Sequence, residues 1–208
     1  MANSPFPQQS TAVDENQAIA QSQRGSTAAF NQLVAAYQSL LFNTAYRILG
    51  DSDAAADATQ EAFISAYQGV KAFRGGSFKA WLLRIVTNAC YDQLRRKQRR
   101  PTTSLDALLV ADEEPSGLPS TPDGPEDHAL RRELHHQVQQ GLLTLPPEQR
   151  TVLILSDVQG LSYEEIAEVT QVSLGTVKSR LSRARDHLRE YLQNRELSPS
   201  VQRHRSGA

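Results

Sequence analysis

The chain has 208 residues, with 22 Lys and Arg against 23 Asp and Glu for a formal net charge of −1, and 39% of its residues are hydrophobic. A single cysteine, Cys90, excludes an intrachain disulfide framework and a cysteine-based zinc site. No apolar run reaches the roughly 18 residues of a membrane span, and the opening MANSPFPQQSTAVDENQ lacks the basic and apolar stretches of a secretory signal, so a soluble, cytoplasmic protein is expected.

Residues 1–24 carry Pro5, Pro7 and many Gln and Ser without a hydrophobic pattern, and are expected to be mobile, with a short helix possible in DENQAIAQSQ. From Ser26, a plausible N-cap, Phe30, Leu33, Val34, Tyr37, Leu40, Leu41, Ala45 and Ile48 follow a helical stripe that Gly50 ends. A second helix is predicted from about Asp53 to Gly69, with Ala56, Phe63, Ile64 and Tyr67 available for packing. The turn signal Gly75-Gly76 precedes a third helix from near Ser77, with Phe78, Trp81, Leu82, Ile85, Ala89 and Leu94 facing inward. Pro101 stops it. The following stretch has five prolines between Pro101 and Pro125, and seven acids with no base up to Leu130, the composition of a flexible, self-repelling linker.

The second half is also helical: about Asp127 to Leu143, then a helix opened by Pro146-Pro147, then a short helix opened by the capping box Ser162-Tyr163-Glu164-Glu165, then a long one from near Leu174 to about Gln193. No segment alternates as a strand does. The expected architecture is therefore all-α, two small helical domains on a flexible acidic linker. Its boundaries are 1–24 mobile, 25–98 the first domain, 99–129 the linker, 130–193 the second domain and 194–208 a mobile tail.

Near-neutral total charge conceals strong segregation. Five of the six residues Arg95–Arg100 are basic, and Lys178, Arg180, Arg183, Arg185 and Arg189 form a second basic segment. Two basic segments on either side of an acidic spacer suit two contact zones on an anionic polymer. In the second domain, a short capped helix, a tight connection and a basic helix make a helix-turn-helix signature. Val177, Leu181, Ala184 and Leu188 form the buried stripe, which leaves Thr176, Lys178, Ser179, Ser182 and Arg183 on the face that reads base edges and phosphates. The turn, TQVS, has no glycine in its middle. In the third helix Arg84, Asn88, Tyr91 and Arg95 share a stripe suited to single-stranded nucleic acid, with Phe73 and Arg74 in the loop beside it. Asp53, Asp57, Gln60 and Glu61 make the second helix acidic, a face that repels DNA and fits a basic protein surface.

These residues resemble a known family. DAAADATQEAFISAYQGVKAFRGGSFKAWLLRIVTNACYDQLRR is similar to the core of region 2 of bacterial sigma factors, and LTLPPEQRTVLILSDVQGLSYEEIAEVTQVSLGTVKSRLSRARDHLREYL to region 4. Two such regions on a short linker resemble the extracytoplasmic-function (group IV) subfamily, of the sigma-E type. The resemblance implies that the first domain is the region 2 three-helix unit and the second the region 4 helix-turn-helix. It implies a factor that binds core RNA polymerase and directs promoter-specific initiation. Asp57, Gln60, Glu61 and Phe63 would meet the β′ clamp helices. Phe73, Arg74, Arg84, Asn88 and Arg95 would melt and hold the −10 element, Asn88 touching a flipped base. Thr176, Lys178, Ser179, Ser182 and Arg183 would read the −35 element as duplex, and region 4 would also touch the β flap. An anti-sigma partner is implied; no cofactor, metal or catalytic residue is.

Three other readings stay open on the residues alone, one of them a pure interaction protein that sequesters another factor. A stand-alone helix-turn-helix regulator would share the second domain, but such proteins dimerise on palindromes. An enzyme lacks a constellation: adjacent His135 and His136 point about 100° apart on a helix and cannot form an i, i+4 metal pair.

Overall fold

The computed structural model describes residues 14–99 and 125–196, with side chains from 133 to 194 in the second segment. Residues 1–13, 100–124 and 197–208, on which most of the expected mobility falls, lie outside the described residues. Every regular element described is helical: α1 (Glu15–Gln23), α2 (Thr27–Leu49), α3 (Ser52–Gly69), α4 (Phe78–Arg99), α5 (Pro125–Thr144), α6 (Pro147–Leu153), α7 (Tyr163–Thr170) and α8 (Leu174–Glu196). A 3₁₀ turn (Val70–Ala72) follows α3, and a π turn (Ile154–Val158) follows α6.

Helix ends fall where side chains satisfy orphan backbone groups. Ser26 accepts the Ala29 amide, Asp51 the Ala54 amide and Ser77 the Ala80 amide. Gly50 takes φ +72° and returns its N–H to the Tyr46 carbonyl, closing α2 in the left-handed conformation that glycine adopts without a Cβ clash.

In the first domain α3 lies against both α2 and α4. Its buried face is Ala55, Ala58, Thr59, Ala62 and Ala66, one helical stripe of small side chains that lets its neighbours approach closely. This corrects the expected packing set in part, for Phe63 does pack against the core and the Tyr67 ring meets Phe30 edge-on at 5.0 Å. Ala56 is exposed, Phe63 is half-buried, and Ile64 and Tyr67 are 52% and 44% exposed. Large apolar residues drew the prediction, but the space beside α2 and α4 admits only alanine-sized ones. On α4 the buried stripe is Phe78, Leu82, Leu83, Val86, Thr87 and Cys90, while Trp81, Ile85, Ala89 and Leu94 are half-buried; the inward face is thus rotated from the expected one. Burial pushes the Cys90 thiol up to about 12, so it is a core filler and stays protonated.

The folded part also begins upstream of position 25. α1 buries Ala18 and Ile19 against the core, and Tyr37 donates a hydrogen bond to the Glu15 carboxylate. Its last residue, Gln23, donates from Nε2 to the carbonyls of Val70 (3.2 Å) and Phe73 (2.8 Å), tying down the loop that leads into α4.

In the second domain α6 packs on α8, and α7 crosses α8. Ser162 and Glu165 form the expected capping box at 2.9 and 3.1 Å. The glycine-free turn closes with Gln171 in the left-handed region (φ 55°), the only non-glycine at positive φ among the described residues.

The alanine seam of α3 gives a direct test. Ala58→Leu is expected to overpack it and cost about 1–3 kcal/mol, whereas exposed Ile64→Ala should stay within about 0.5 kcal/mol. Urea unfolding of both variants checks this; equal losses would contradict the assigned face.

Candidate nucleic-acid interface

The acidic face of α3 is presented to solvent. Asp57 and Gln60 are exposed, and Glu61 and Phe63 are half-exposed beside Ile64. Glu61 accepts a bond from Arg96 of α4 at 3.2 Å, so the acidic and basic faces of this domain meet along one seam.

On α4, Arg84, Asn88 and Arg95 are exposed on the outward stripe that their spacing predicts, and Tyr91 is half-buried. Burial raises the Tyr91 phenol above its ordinary value. Arg95 pairs with Asp92 one turn back. Both partners are mostly solvated, a pair that phosphate displaces cheaply. Phe73 is less free than its place in a loop implies. Its ring packs edge-on to buried Phe78 (centroids 5.3 Å, 82°) and against Trp81 (5.4 Å). It anchors the loop, with exposed Arg74 held by a bond to the Lys71 carbonyl at 3.2 Å. Arg84, Asn88 and Arg95 thus share one outward stripe of α4, while Arg74 and Phe73 lie in the loop that precedes it.

The recognition helix begins at Leu174. Its N-cap, Ser173, accepts the Thr176 amide (3.2 Å) and contacts the Thr176 hydroxyl (2.9 Å), which fixes Thr176 at the first turn. Val177, Leu181 and Ala184 are buried beneath it and Leu188 is half-buried. Lys178, Ser179, Ser182 and Arg183 all point outward and exposed. Lys178 and Arg183 make no ion pair among the described residues, which leaves their charge free for phosphate or guanine.

Sequence reasoning missed the residues that aim this helix. Arg185 grips Asp157 with both ends of its guanidinium, Nε to Oδ2 at 3.0 Å and an Nη to Oδ1 at 2.6 Å, and reaches Ser156 at 3.4 Å. The π turn brings Ser156 and Asp157 round to α8. By sequence alone Arg185 merges with the general basic run; a lone Asp at the end of the apolar run TVLILSD is the signal that could have singled it out. Arg150 was missed similarly. It is the one charged residue carried into that buried run, at 7% exposure. Its guanidinium donates to the carbonyls of Leu143 (3.0 Å), Leu145 (2.9 Å) and Ile48.

Among the described residues no His, Cys, Asp or Glu cluster could hold a metal ion, and no helix is long and apolar enough to cross a membrane. The site chemistry is charge, hydrogen bonding and ring stacking.

Comparison with known proteins agrees with this geometry. Residues 33–100 match the family model for Sigma-70 region 2, and residues 135–188 that for Sigma-70, region 4. A chain with these two regions in this order is an RNA polymerase sigma factor of the sigma-70 class. The chain is 38% identical over 183 residues to the ECF RNA polymerase sigma factor SigW of Bacillus subtilis, covering 85% of this chain and 95% of the relative. It is 39% identical over 166 residues to the ECF RNA polymerase sigma-E factor of Escherichia coli, covering 79% and 86%. A 38% identical match to the ECF factor SigE of Mycolicibacterium smegmatis covers 78% of this chain and 61% of that relative. Among solved structures, the sigma factor RpoE in complex with the anti-sigma factor NepR from Bartonella quintana is similar, with 28% identity, TM-score 0.61, and 79% of this chain and 96% of that chain covered. CnrH in complex with the cytosolic domain of CnrY matches at 27% identity and TM-score 0.62, covering 88% and 98%. This chain belongs to the extracytoplasmic-function RNA polymerase sigma factors.

The Asp157–Arg185 pair carries a pH signature. The Arg185 hydrogen bonds hold the Asp157 carboxyl below its ordinary value of 3.8. A carboxyl lowered by folding stabilises above its unfolded pKa, and loses that contribution as pH falls through the lower folded value. Asp157→Asn should therefore cost up to about 1 kcal/mol at neutral pH, given the solvent exposure of the pair, and the difference should shrink below pH 3.8. Thermal melts on either side of that pH read this out; a pH-independent difference would contradict the pairing.

Proposed function

We propose that the two domains divide promoter reading, with region 2 handling melted DNA and region 4 handling duplex. As a sigma factor the chain directs core RNA polymerase to promoters and performs no bond chemistry itself. In our reading the acidic face with Asp57, Gln60, Glu61 and Phe63 docks on the β′ clamp helices. Exposed carboxylates flanked by an apolar residue suit a basic, partly apolar protein surface. Arg74, Arg84 and Arg95 neutralise phosphates of the −10 non-template strand, Phe73 holds the loop, and Asn88 hydrogen-bonds the edge of an unstacked base. Thr176, Lys178, Ser179, Ser182 and Arg183 enter the major groove of the −35 duplex, and region 4 also contacts the β flap.

The observation that carries this reading is the side-by-side placement of opposite faces on adjacent helices. An acidic docking face on α3 and a basic stripe on α4 point to two different partners at once. Few phosphates are neutralised by either domain, so affinity for DNA alone stays low; polymerase supplies the rest and raises the effective concentration of both readers. The cytoplasm, where chromosome and polymerase meet, is the corresponding location. An anti-sigma factor is the corresponding restraining partner, as NepR is for the Bartonella quintana protein.

Separate variants test the two faces. Asp57→Lys with Glu61→Lys should weaken core binding at least tenfold while leaving the fold intact, since both side chains are exposed or half-exposed. Lys178→Ala with Arg183→Ala should leave core binding unchanged and lower transcript from −35-dependent promoters. The salt slope of promoter binding should fall by about 2, one for each phosphate no longer neutralised. Core-binding assays and run-off transcription measure both. Unchanged recruitment in the first pair, or unchanged start-site choice in the second, would refute the assignment.

A further inference from the structure

The loop that carries Phe73 and Arg74 is held by a helix that takes no part in the surfaces described above. α1 lies upstream of residues 33–100, the stretch that matches the region 2 family model. It is seated by buried Ala18, Ile19 and Ser22, and a tight turn through Gly25 (φ +98°) joins it to α2. Its last residue, Gln23, is half-buried and turns its amide to the loop.

One side-chain nitrogen, Nε2, meets two carbonyls, Val70 O at 3.2 Å and Phe73 O at 2.8 Å. An NH2 group has two protons to give, and both are used here. The two acceptors flank the 3₁₀ turn Val70–Ala72, whose own bond runs from the Phe73 amide to Val70 O at 3.1 Å. Short 3₁₀ turns have poor hydrogen-bond geometry and hold weakly by themselves. The Gln23 amide closes this one from outside and fixes the direction in which the chain leaves it. At the other end of α1, Glu15 accepts a hydrogen bond from the Tyr37 hydroxyl, and the Tyr37 ring meets Phe78 edge-on at 5.7 Å. Phe78 in turn supports the Phe73 ring. α1 therefore reaches Phe73 by two routes, through its backbone and through its ring.

The rest of the loop has no such support. Residues 74–77 are exposed, Gly75 and Gly76 sit at φ +98° and +88°, and nothing lies within 4 Å of where a Cβ would stand on either. Backbone shape, rather than lack of room, calls for glycine there. Arg74 thus stands where a braced first half meets an open second half.

We propose that Gln23 is a positioning residue for −10 recognition: by bracing the 3₁₀ turn it sets where Phe73 and Arg74 stand relative to the outward stripe of α4, and so sharpens base selection from outside the DNA-contacting surface. A loose loop must be ordered each time a strand binds, at an entropic cost that a braced loop avoids. The penalty falls unequally on the contacts. Phosphates neutralised by Arg84 and Arg95 tolerate small movements, whereas an unstacked base is told apart only in a fixed geometry. Loss of the brace therefore erodes the gap between right and wrong base more than it erodes total affinity. The bracing stands on its own geometry, and its consequence for promoters rests on the function proposed above.

Two substitutions separate the brace from general stability. Gln23→Met keeps the length of the side chain and removes its donors, whereas Gln23→Lys keeps donors at that site. In the free full-length protein, hydrogen exchange over residues 70–76 should quicken about tenfold in the Met variant, the size set by losing hydrogen bonds of ordinary net strength. α2 and α4 should stay protected. Run-off transcription with core polymerase then compares one promoter with copies substituted at single −10 or single −35 positions. The Met variant should lower the preference for the native −10 base at least about fivefold, the low end of what one base contact contributes. Its −35 preference and core binding should stay within about twofold of wild type. The Lys variant should recover most of the lost −10 preference. A change in stability alone would scale every template together and move neither preference. Unchanged exchange over residues 70–76, faster exchange with −10 preference intact, or equal loss on all templates overturns the proposal. An Asn88→Ala chain that keeps full −10 preference would instead strike at the proposed function, and the exchange result would then judge the brace by itself.

Discussion

The alanine seam of α3 is the constraint on which the first domain depends. Ala55, Ala58, Ala62 and Ala66 are fully buried, and their small size lets α2 and α4 close on either side of one helix. Because that seam uses up the inward face, Asp57 and Gln60 have only solvent to face, and Ile64 and Phe63 are left partly uncovered among them. The same closure sets α4 next to α3 with its basic stripe turned outward. One packing decision therefore produces two surfaces of opposite charge a helix apart.

The second domain solves a different problem, that of holding a long polar helix at a defined angle on a small core. Burial of Val177, Leu181 and Ala184 fixes which side faces in, but an apolar stripe permits sliding and rocking. The bidentate grip of Arg185 on Asp157 removes that freedom, and the π turn supplies the acid at the right place. Arg150 works on the opposite side of the domain. It collects the carbonyls of Leu143 and Leu145 and reaches across to Ile48, so one desolvated guanidinium organises a loop and an interdomain contact together. Such a buried cation is tolerated because its two terminal nitrogens donate to three carbonyls, although its Nε has no partner.

Much of this was legible in the sequence. The helix-turn-helix could be read because capping at Ser162, the apolar spacing from Val177 to Leu188 and the outward set from Thr176 to Arg183 are local patterns. The exposed stripe of Arg84, Asn88 and Arg95 followed from the same periodicity. The alanine seam was not legible, since alanine fits both buried and exposed positions and only its neighbours decide. The role of α1 was missed for a related reason: Gln23 matters through the carbonyls of Val70 and Phe73, some fifty residues away. Arg150, Gln159 and Lys79 looked like ordinary polar residues because they bond to backbone carbonyls or, for Gln159, to the distant Thr44 hydroxyl, which leave no mark on a sequence pattern.

The central claim is that this chain selects DNA sites only as part of a larger enzyme. Footprinting of a cognate promoter with the chain alone, core polymerase alone and both together tests it most directly. The account expects protection centred on two separated elements, with reactive unpaired bases in the downstream one, only when both are present. The same two-element footprint from the chain by itself, or none from the mixture, would contradict it.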